Sequence, residues 1–215
     1  MGYSLFYAKG DKMRTYNSVS GGTCSTAMAL LHPKFPSVIV NTGGNLPEAW
    51  DNIHRLQRKR ITIMVLSSFT QGYPTYYDYI KNEKLKPFYL SCSDRAKQTH
   101  MNRFYKAIAP CTVNIGLVEG EDARVKNFKN HHGIRYNFPM LKYTREQCEK
   151  VLRAHDMNVI KSGCYFCAKQ PRSSWIWLKE NHPEKYQECE EMGWLTKLPH
   201  SSASTPNLGD EDESE

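Results

Sequence analysis

Short apolar runs alternate with amphipathic stretches over the first two thirds of the chain. Residues 14–19, 38–41, 61–66 and 113–117 are too short for stable helices and are bounded by turn-forming residues, so they read as strands. Residues 136–141 are a fifth strand or an extended piece. Residues 27–31 predict a short helix halted by His32-Pro33. Between 46 and 59 the apolar positions 46, 49, 50, 53 and 56 recur at helical spacing. Residues 92–108 set Ala96, Met101, Phe104 and Ile108 on one side of a further helix. Helix 144–155 opens on a capping-box pair, Thr144 and Gln147. Helices 172–182 and 183–192 follow, the second with Pro183 in its first turn.

Two successive strand–helix–strand units predict an α/β fold with a doubly wound, mostly parallel sheet. That core spans 1–143. A small helical, cysteine-containing extension follows over 144–195. Residues 201–215 carry Ser, Pro, Gly and acids with few apolar side chains, the composition of a disordered acidic tail. The aromatic stretch 69–89, with Tyr73, Tyr76, Tyr77, Tyr79, Phe88 and Tyr89, is read as packing on the sheet, with base stacking as the sharper alternative.

Composition narrows the class. Apolar residues make up 40% of 215, without a run long enough to cross a membrane. The start, Met1-Gly2-Tyr3-Ser4, lacks the basic and apolar segments of a secretory signal, so a cytoplasmic protein is expected. Five of the 22 acidic residues fall in 210–215, leaving 17 against 29 basic ones, and a surface with that excess attracts polyanions. A nucleotide substrate and a nucleic acid, tRNA or DNA, both suit it. Seven cysteines in such a chain point to free thiols, a metal or redox chemistry before disulfides.

Two motifs carry chemistry. Ser18-Val19-Ser20-Gly21-Gly22-Thr23-Cys24-Ser25-Thr26 joins the first strand to the first helix. Paired glycines let backbone approach an anion, and the N–H groups and dipole at a helix start favour negative charge. No Gly-Lys-Ser/Thr follows, so the loop is not of the Walker type. Asn41-Thr42-Gly43-Gly44 repeats the strand-to-glycine turn, and ligands of open α/β sheets gather at that carboxyl edge. The second motif is Ser162-Gly163-Cys164-Tyr165-Phe166-Cys167, whose thiol spacing suits zinc, an iron–sulfur centre or a redox dithiol.

Together these segments resemble the PP-loop ATP pyrophosphatases (adenine nucleotide alpha hydrolases), in the phosphoadenosine phosphosulfate reductase-like branch. The family loop Ser-Gly-Gly-Lys-Asp-Ser is matched at Ser20, Gly21, Gly22 and Ser25 and departs at Thr23 and Cys24. Its Asp/Asn-Thr-Gly turn is matched by Asn41-Thr42-Gly43. Its Cys-Thr/Ser-x-x-x-Lys segment is Cys92 to Lys97, its Gly-x-x-x-x-Glu-x-x-Arg segment is Gly116 to Arg124 with Glu121, and its Ser-Gly-Cys-x-x-Cys closes at Cys167, followed by Trp175, Trp177 and Pro183-Glu184. The resemblance covers residues 14–192. It implies binding of ATP, or of adenosyl phosphosulfate, by Ser18, Ser20, Gly21, Gly22, Ser25, Thr26, Asn41, Thr42, Gly43, Gly116 and Glu121. Cys24, Lys97 and Arg124 are then the candidate catalytic residues. Lys97, Arg124 and Arg95 are candidates for phosphate contacts, and Glu121 and Asp122 for Mg2+ or, in the case of Glu121, for orienting Arg124. Cys92, Cys164 and Cys167 are the candidate ligands of a [4Fe-4S] cluster with one open iron. Zn2+ is the alternative, with a fourth ligand among Cys111, Cys148, Cys189, His131 and His132.

The activity expected from this resemblance is adenylation of a carbonyl oxygen on a nucleotide or nucleic-acid base, followed by displacement of AMP by sulfur from a cluster or thiolate. A sulfur donor protein is an expected partner, and the oligomeric state is open. Sulfonucleotide reduction is the alternative, but the Glu-Cys-Gly-Leu/Ile-His tail of such reductases has no counterpart: the last cysteine stands in Glu188-Cys189-Glu190. A non-catalytic nucleotide-binding module is the third reading.

Overall fold

The computed structural model describes residues 13–85 and 92–195. The expected tail, Phe88, Tyr89 and Ser91 lie outside them. The five strands are β1 (Arg14–Ser18), β2 (Ser37–Asn41), β3 (Ile63–Ser67), β4 (Cys111–Ile115) and β5 (Ile134–Asn137). All are parallel, in the order β3-β2-β1-β4-β5. The chain therefore winds outward through β2 and β3, then returns to the other side of β1. The carboxyl ends of β1 and β4 form the switch point of a doubly wound sheet, where Ser18 pairs with Ile115.

Helices cover both faces because the strand residues alternate. α1 (Thr23–Leu31), α2 (Pro47–Arg58) and α6 (Arg145–Arg153) share one core with Val19 and Ile39, through Ala27, Met28, Ile53, Leu56, Cys148 and Leu152. α4 (Thr99–Ile108) closes the opposite face, where Tyr105 and Phe104 meet Tyr16, Val38 and Val113. α3 (Tyr76–Asn82), α7 (Arg172–Asn181) and α8 (Pro183–Glu191) form a third cluster around Trp175, Phe166 and Trp194. Within it Tyr76 and Tyr79 are buried, the packing role expected of the aromatic stretch. α5 (Asp122–Val125) is a single turn.

β3 and β4 are each shifted by up to two residues from the expected 61–66 and 113–117, and two other elements differ by more. Helix α1 starts at Thr23 rather than 27, because its polar first turn is turned inward, with Thr23 and Thr26 buried. Strand β5 spans 134–137 rather than 136–141: Ile134 is buried and pairs with Cys111, while residues 139–142 turn away. Across the sheet, buried Asn114 donates its amide to Asn17 (2.9 Å) and accepts from Asn137 (2.8 Å), so three neighbouring strands share an asparagine ladder.

One carboxylate of α8 gathers donors from α3 and from the cysteine motif. Glu188 accepts from the phenols of Tyr77 and Tyr165 and from the Lys81 ammonium. Burial pushes its pKa up, but these three donors outweigh burial and hold it below the ordinary 4.5. A depressed folded-state pKa gives stability that is present above 4.5 and lost as pH falls through the folded value. Glu188→Gln should therefore destabilise the protein at pH 7 by about 1–2 kcal/mol, allowing for partial exposure, and flatten the acid limb of its stability curve. Urea midpoints at pH 7 and pH 4 check this; an unchanged acid limb removes Glu188 from that role.

Candidate functional site

Beyond β1 the chain makes a tight passage into α1. Gly21 has φ +75°, and a Cβ there would lie 2.6 Å from the Ala49 carbonyl oxygen. At Gly22 a Cβ would lie 2.5 Å from the Ser162 Cβ and 2.7 Å from its backbone nitrogen. Glycine is thus required at both positions for close approach, the first to α2 and the second to the segment leading into the cysteine motif. Gly22 is the N-cap of α1 and brings no side chain to cap it. Among the described residues, the N–H groups of Gly21, Gly22, Cys24 and Ser25 have no hydrogen-bond acceptor.

The hydroxyls expected to serve as further anion donors are instead used within the loop. Ser25 Oγ donates to the Gly22 carbonyl (3.1 Å) and accepts from the Ser20 N–H (3.1 Å), so the Ser20 hydroxyl at 3.0 Å is its second donor. Thr26 is fully buried, and its hydroxyl has no partner among the described residues. Thr23, where the family has lysine, donates through both N–H (3.0 Å) and Oγ1 (2.9 Å) to the Ile160 carbonyl. Its departure from the motif supplies an anchor for the C-terminal segment. Asn52, buried on α2, completes the clamp: its amide donates to the carbonyls of Gly21 and Asn158 (2.9 Å each), and its oxygen accepts from the Asn158 N–H (2.8 Å).

These elements enclose a cavity of about 700 Å³ at the switch point. Ser18, Ser20, Gly22, Cys24, Ser25, Lys97, Gly116, Glu121 and Arg124 of the expected site line it. Lys97 arrives on a π-helical turn, Asp94–Gln98, whose wide Thr99 N–H to Asp94 carbonyl bond leads into α4. Glu121 accepts from the Val118 N–H (3.1 Å) and pairs with Arg124. Asp122 and Arg95 do not line the cavity. Arg145 and Lys161 do, and sequence reasoning missed both. Their only signals were positions beside recognised features: Arg145 follows the Thr144 cap, and Lys161 precedes the Ser-Gly-Cys motif. Four basic side chains against Glu119 and Glu121 leave the lining positive.

Cys24 lines this space, but burial pushes its thiol up, and it hydrogen-bonds Cys148, itself pushed up to about 12 by burial and by Cys24. Burial thus disfavours the thiolate form of Cys24.

Asn41, Thr42 and Gly43 lie beside the cavity rather than in its wall. Asn41 Oδ1 accepts from the Gly43 N–H (2.9 Å). Thr42 is buried; its N–H donates to Asn45 Oδ1 (2.9 Å), which fixes that amide, and its hydroxyl donates to the same oxygen (2.8 Å). The Thr42 hydroxyl thus accepts from the Cys164 thiol at 3.1 Å. A bridge between Asn45 and Cys164, with the Tyr165 N–H on the Gly44 carbonyl (2.9 Å), laces the cysteine motif to this turn.

Cys92, Cys164 and Cys167 come within electrostatic reach of one another. Burial raises the Cys92 thiol, Tyr76 donates to it at 3.5 Å and lowers it, and the other two thiols raise it. Yet among the described residues no three of His, Cys, Asp and Glu are grouped so as to hold a metal ion. Among the described residues the three thiols are near one another without being drawn around one ion. Of the fourth ligands considered, Cys111 and Cys148 are buried in two other clusters, His131 and His132 precede β5 at the opposite end of the sheet, and Cys189 is buried in the cluster that Cys92 and Cys164 pack against.

The sequence matches no protein-family model and no curated protein. By structure the chain is similar to the phosphoadenylyl-sulfate (PAPS) reductase of Candida auris in a phosphate complex, with TM-score 0.55 and 13% identity over 70% of this chain and 81% of that one. The U34-tRNA thiolase NcsA of Methanococcus maripaludis, with its [4Fe-4S] cluster, aligns at TM-score 0.44 and 16% identity over 86% of this chain and 71% of that one. The doubly wound α/β fold implied by the motif resemblance is the fold observed. Among the described residues no helix is long and apolar enough to cross a membrane.

Proposed function

We propose that the chain is a PP-loop enzyme that binds ATP at the switch point and transfers sulfur to an acceptor it has adenylated. The observation that supports this most is the glycine-walled cavity itself. Amides at the start of α1 with no acceptor among the described residues stand at one side, and Lys97, Arg124 and Arg145 line it. Such a lining stabilises the charge on polyphosphate and on departing pyrophosphate. Glu119 and Glu121 line the same space, which a Mg2+ carried on the phosphates would enter.

In this reading an acceptor carbonyl oxygen attacks the α-phosphorus, forming an O–AMP bond and releasing pyrophosphate. The sulfur route is written through thiols alone, since no group of three metal-binding side chains is formed among the described residues. A donor protein leaves a persulfide on Cys164. Its outer sulfur attacks the activated carbon, and AMP leaves with the former carbonyl oxygen. Cys167 then attacks the Cys164 sulfur, which frees the thiolated acceptor and leaves a Cys164–Cys167 disulfide for an external dithiol to reduce. Reduction of a sulfonucleotide is disfavoured by Cys189, which is fully buried and whose thiol burial pushes up.

The test is release of pyrophosphate from ATP in the presence of bulk tRNA or DNA. Acceptor-dependent release is expected. A flat trace with every polymer rejects adenylation and leaves a nucleotide-binding module.

A further inference from the structure

A second cavity, of about 370 Å³, lies on the other side of the segment that walls the nucleotide site. Ile160, Lys161 and Ser162 belong to both linings. The two spaces are therefore neighbours separated by one stretch of chain, itself pinned by Thr23 and by the close approach of Gly22. Cys164 and Cys167 line the second cavity and do not line the first. Its remaining walls have a distinct chemistry. Leu46, Leu178 and Trp177 give flat and apolar surface, Lys161 and Lys169 stand exposed, and no carboxylate is part of the lining.

Apolar walls with an aromatic side chain accept a planar ring, whereas two lysines without an acid select an anionic substituent. The volume is at the small end of ligand sites, enough for one base and not for a folded partner. We infer that this cavity seats the acceptor: a heteroaromatic base carrying a phosphate, its ring against Trp177 and its phosphate toward Lys161 and Lys169. The inference rests on the sulfur-transfer reading for its chemistry, but the seat is defined by its own lining. Seated there, the base meets the Cys164 and Cys167 thiols directly, and its activation by ATP requires the carbonyl edge to reach past Ile160–Ser162 into the nucleotide cavity.

A photo-crosslinking experiment separates the two claims. The full chain is irradiated with 5-iodouridine 5′-monophosphate, or with a short RNA or a short DNA carrying one 5-iodopyrimidine, and the adduct is mapped by mass spectrometry. The expected adduct is on Trp177 or Tyr165, and excess ATP leaves its yield unchanged. Lys161→Glu combined with Lys169→Glu, both on exposed side chains, should lower the yield about tenfold, the loss of one charge-assisted contact. Adducts from the free monophosphate assign a nucleotide acceptor, and adducts from an oligonucleotide alone assign a polymer. Adducts elsewhere, competition by ATP, or indifference to both lysine substitutions overturn the inference. If the adduct forms as expected while pyrophosphate release is absent, the seat stands and the adenylation reading falls.

Discussion

Gly22→Val abolishes ATP-dependent pyrophosphate release and weakens ATP binding at least about a hundredfold, close to 2.8 kcal/mol. The reason is geometric. A Cβ at this position meets the Ser162 Cβ at 2.5 Å and the Ser162 backbone nitrogen at 2.7 Å, and backbone cannot swing aside as a flexible side-chain tip can. The clash is relieved only if the start of α1 or the 160–162 segment moves, and the amides and Lys161 that line the nucleotide cavity move with them. Ser162→Gly in the same chain removes the first contact and leaves the second, so it restores binding only in part. Isothermal titration with ATP and a pyrophosphate assay check both variants, with thermal unfolding to show that each chain is folded. A folded Gly22→Val protein that cleaves ATP at the unsubstituted rate would show that the phosphates lie elsewhere.

The frame of this site was legible because it is made by local rules. Strand, glycine turn and helix start follow one another without interruption, and the capping box at Thr144 is formed as read: Gln147 Oε1 accepts from the Thr144 N–H (2.8 Å), and Thr144 Oγ1 accepts from the Gln147 N–H (3.1 Å). Long-range pairing was not legible. Asn52 sits on a helix face whose apolar spacing marked it as ordinary, yet its amide joins Gly21 to Asn158. Asn17, Asn114 and Asn137 are far apart in sequence and meet only because the strand order puts β1, β4 and β5 side by side. Thr23 taught the opposite lesson. Against the family motif it looks like a lost phosphate ligand; in the fold it is the hinge-pin of the C-terminal segment, a role visible only once Ile160 is known to pass overhead. Cys92 lies within electrostatic reach of Cys164 and Cys167, but spacing along a chain does not fix the distances between thiols, and the expected metal centre is not assembled among the described residues.

That last point yields the sharpest separation of outcomes. Cys164→Ser should leave acceptor-dependent pyrophosphate release within about twofold of the unsubstituted rate, since Cys164 does not line the nucleotide cavity. Transfer of sulfur, measured by mass spectrometry of the acceptor with a persulfide donor and a dithiol present, should fall at least about a thousandfold, or ~4 kcal/mol of transition-state stabilisation, because a serine hydroxyl carries no persulfide. Cys167→Ser should instead stall one step later and leave the acceptor joined to Cys164 by a disulfide that added dithiol releases. Cys92 marks the difference between the two chemistries. It lies beside the pair, accepts from Tyr76, and in the dithiol route forms no bond to the travelling sulfur, so Cys92→Ser should keep most of the transfer. If the three thiols together hold a metal, all three serine variants lose transfer to the same depth, and bound iron or zinc falls in parallel. Equal losses with a parallel loss of metal would replace the persulfide route by a three-cysteine centre; a spared Cys92→Ser protein would leave the sulfur on Cys164.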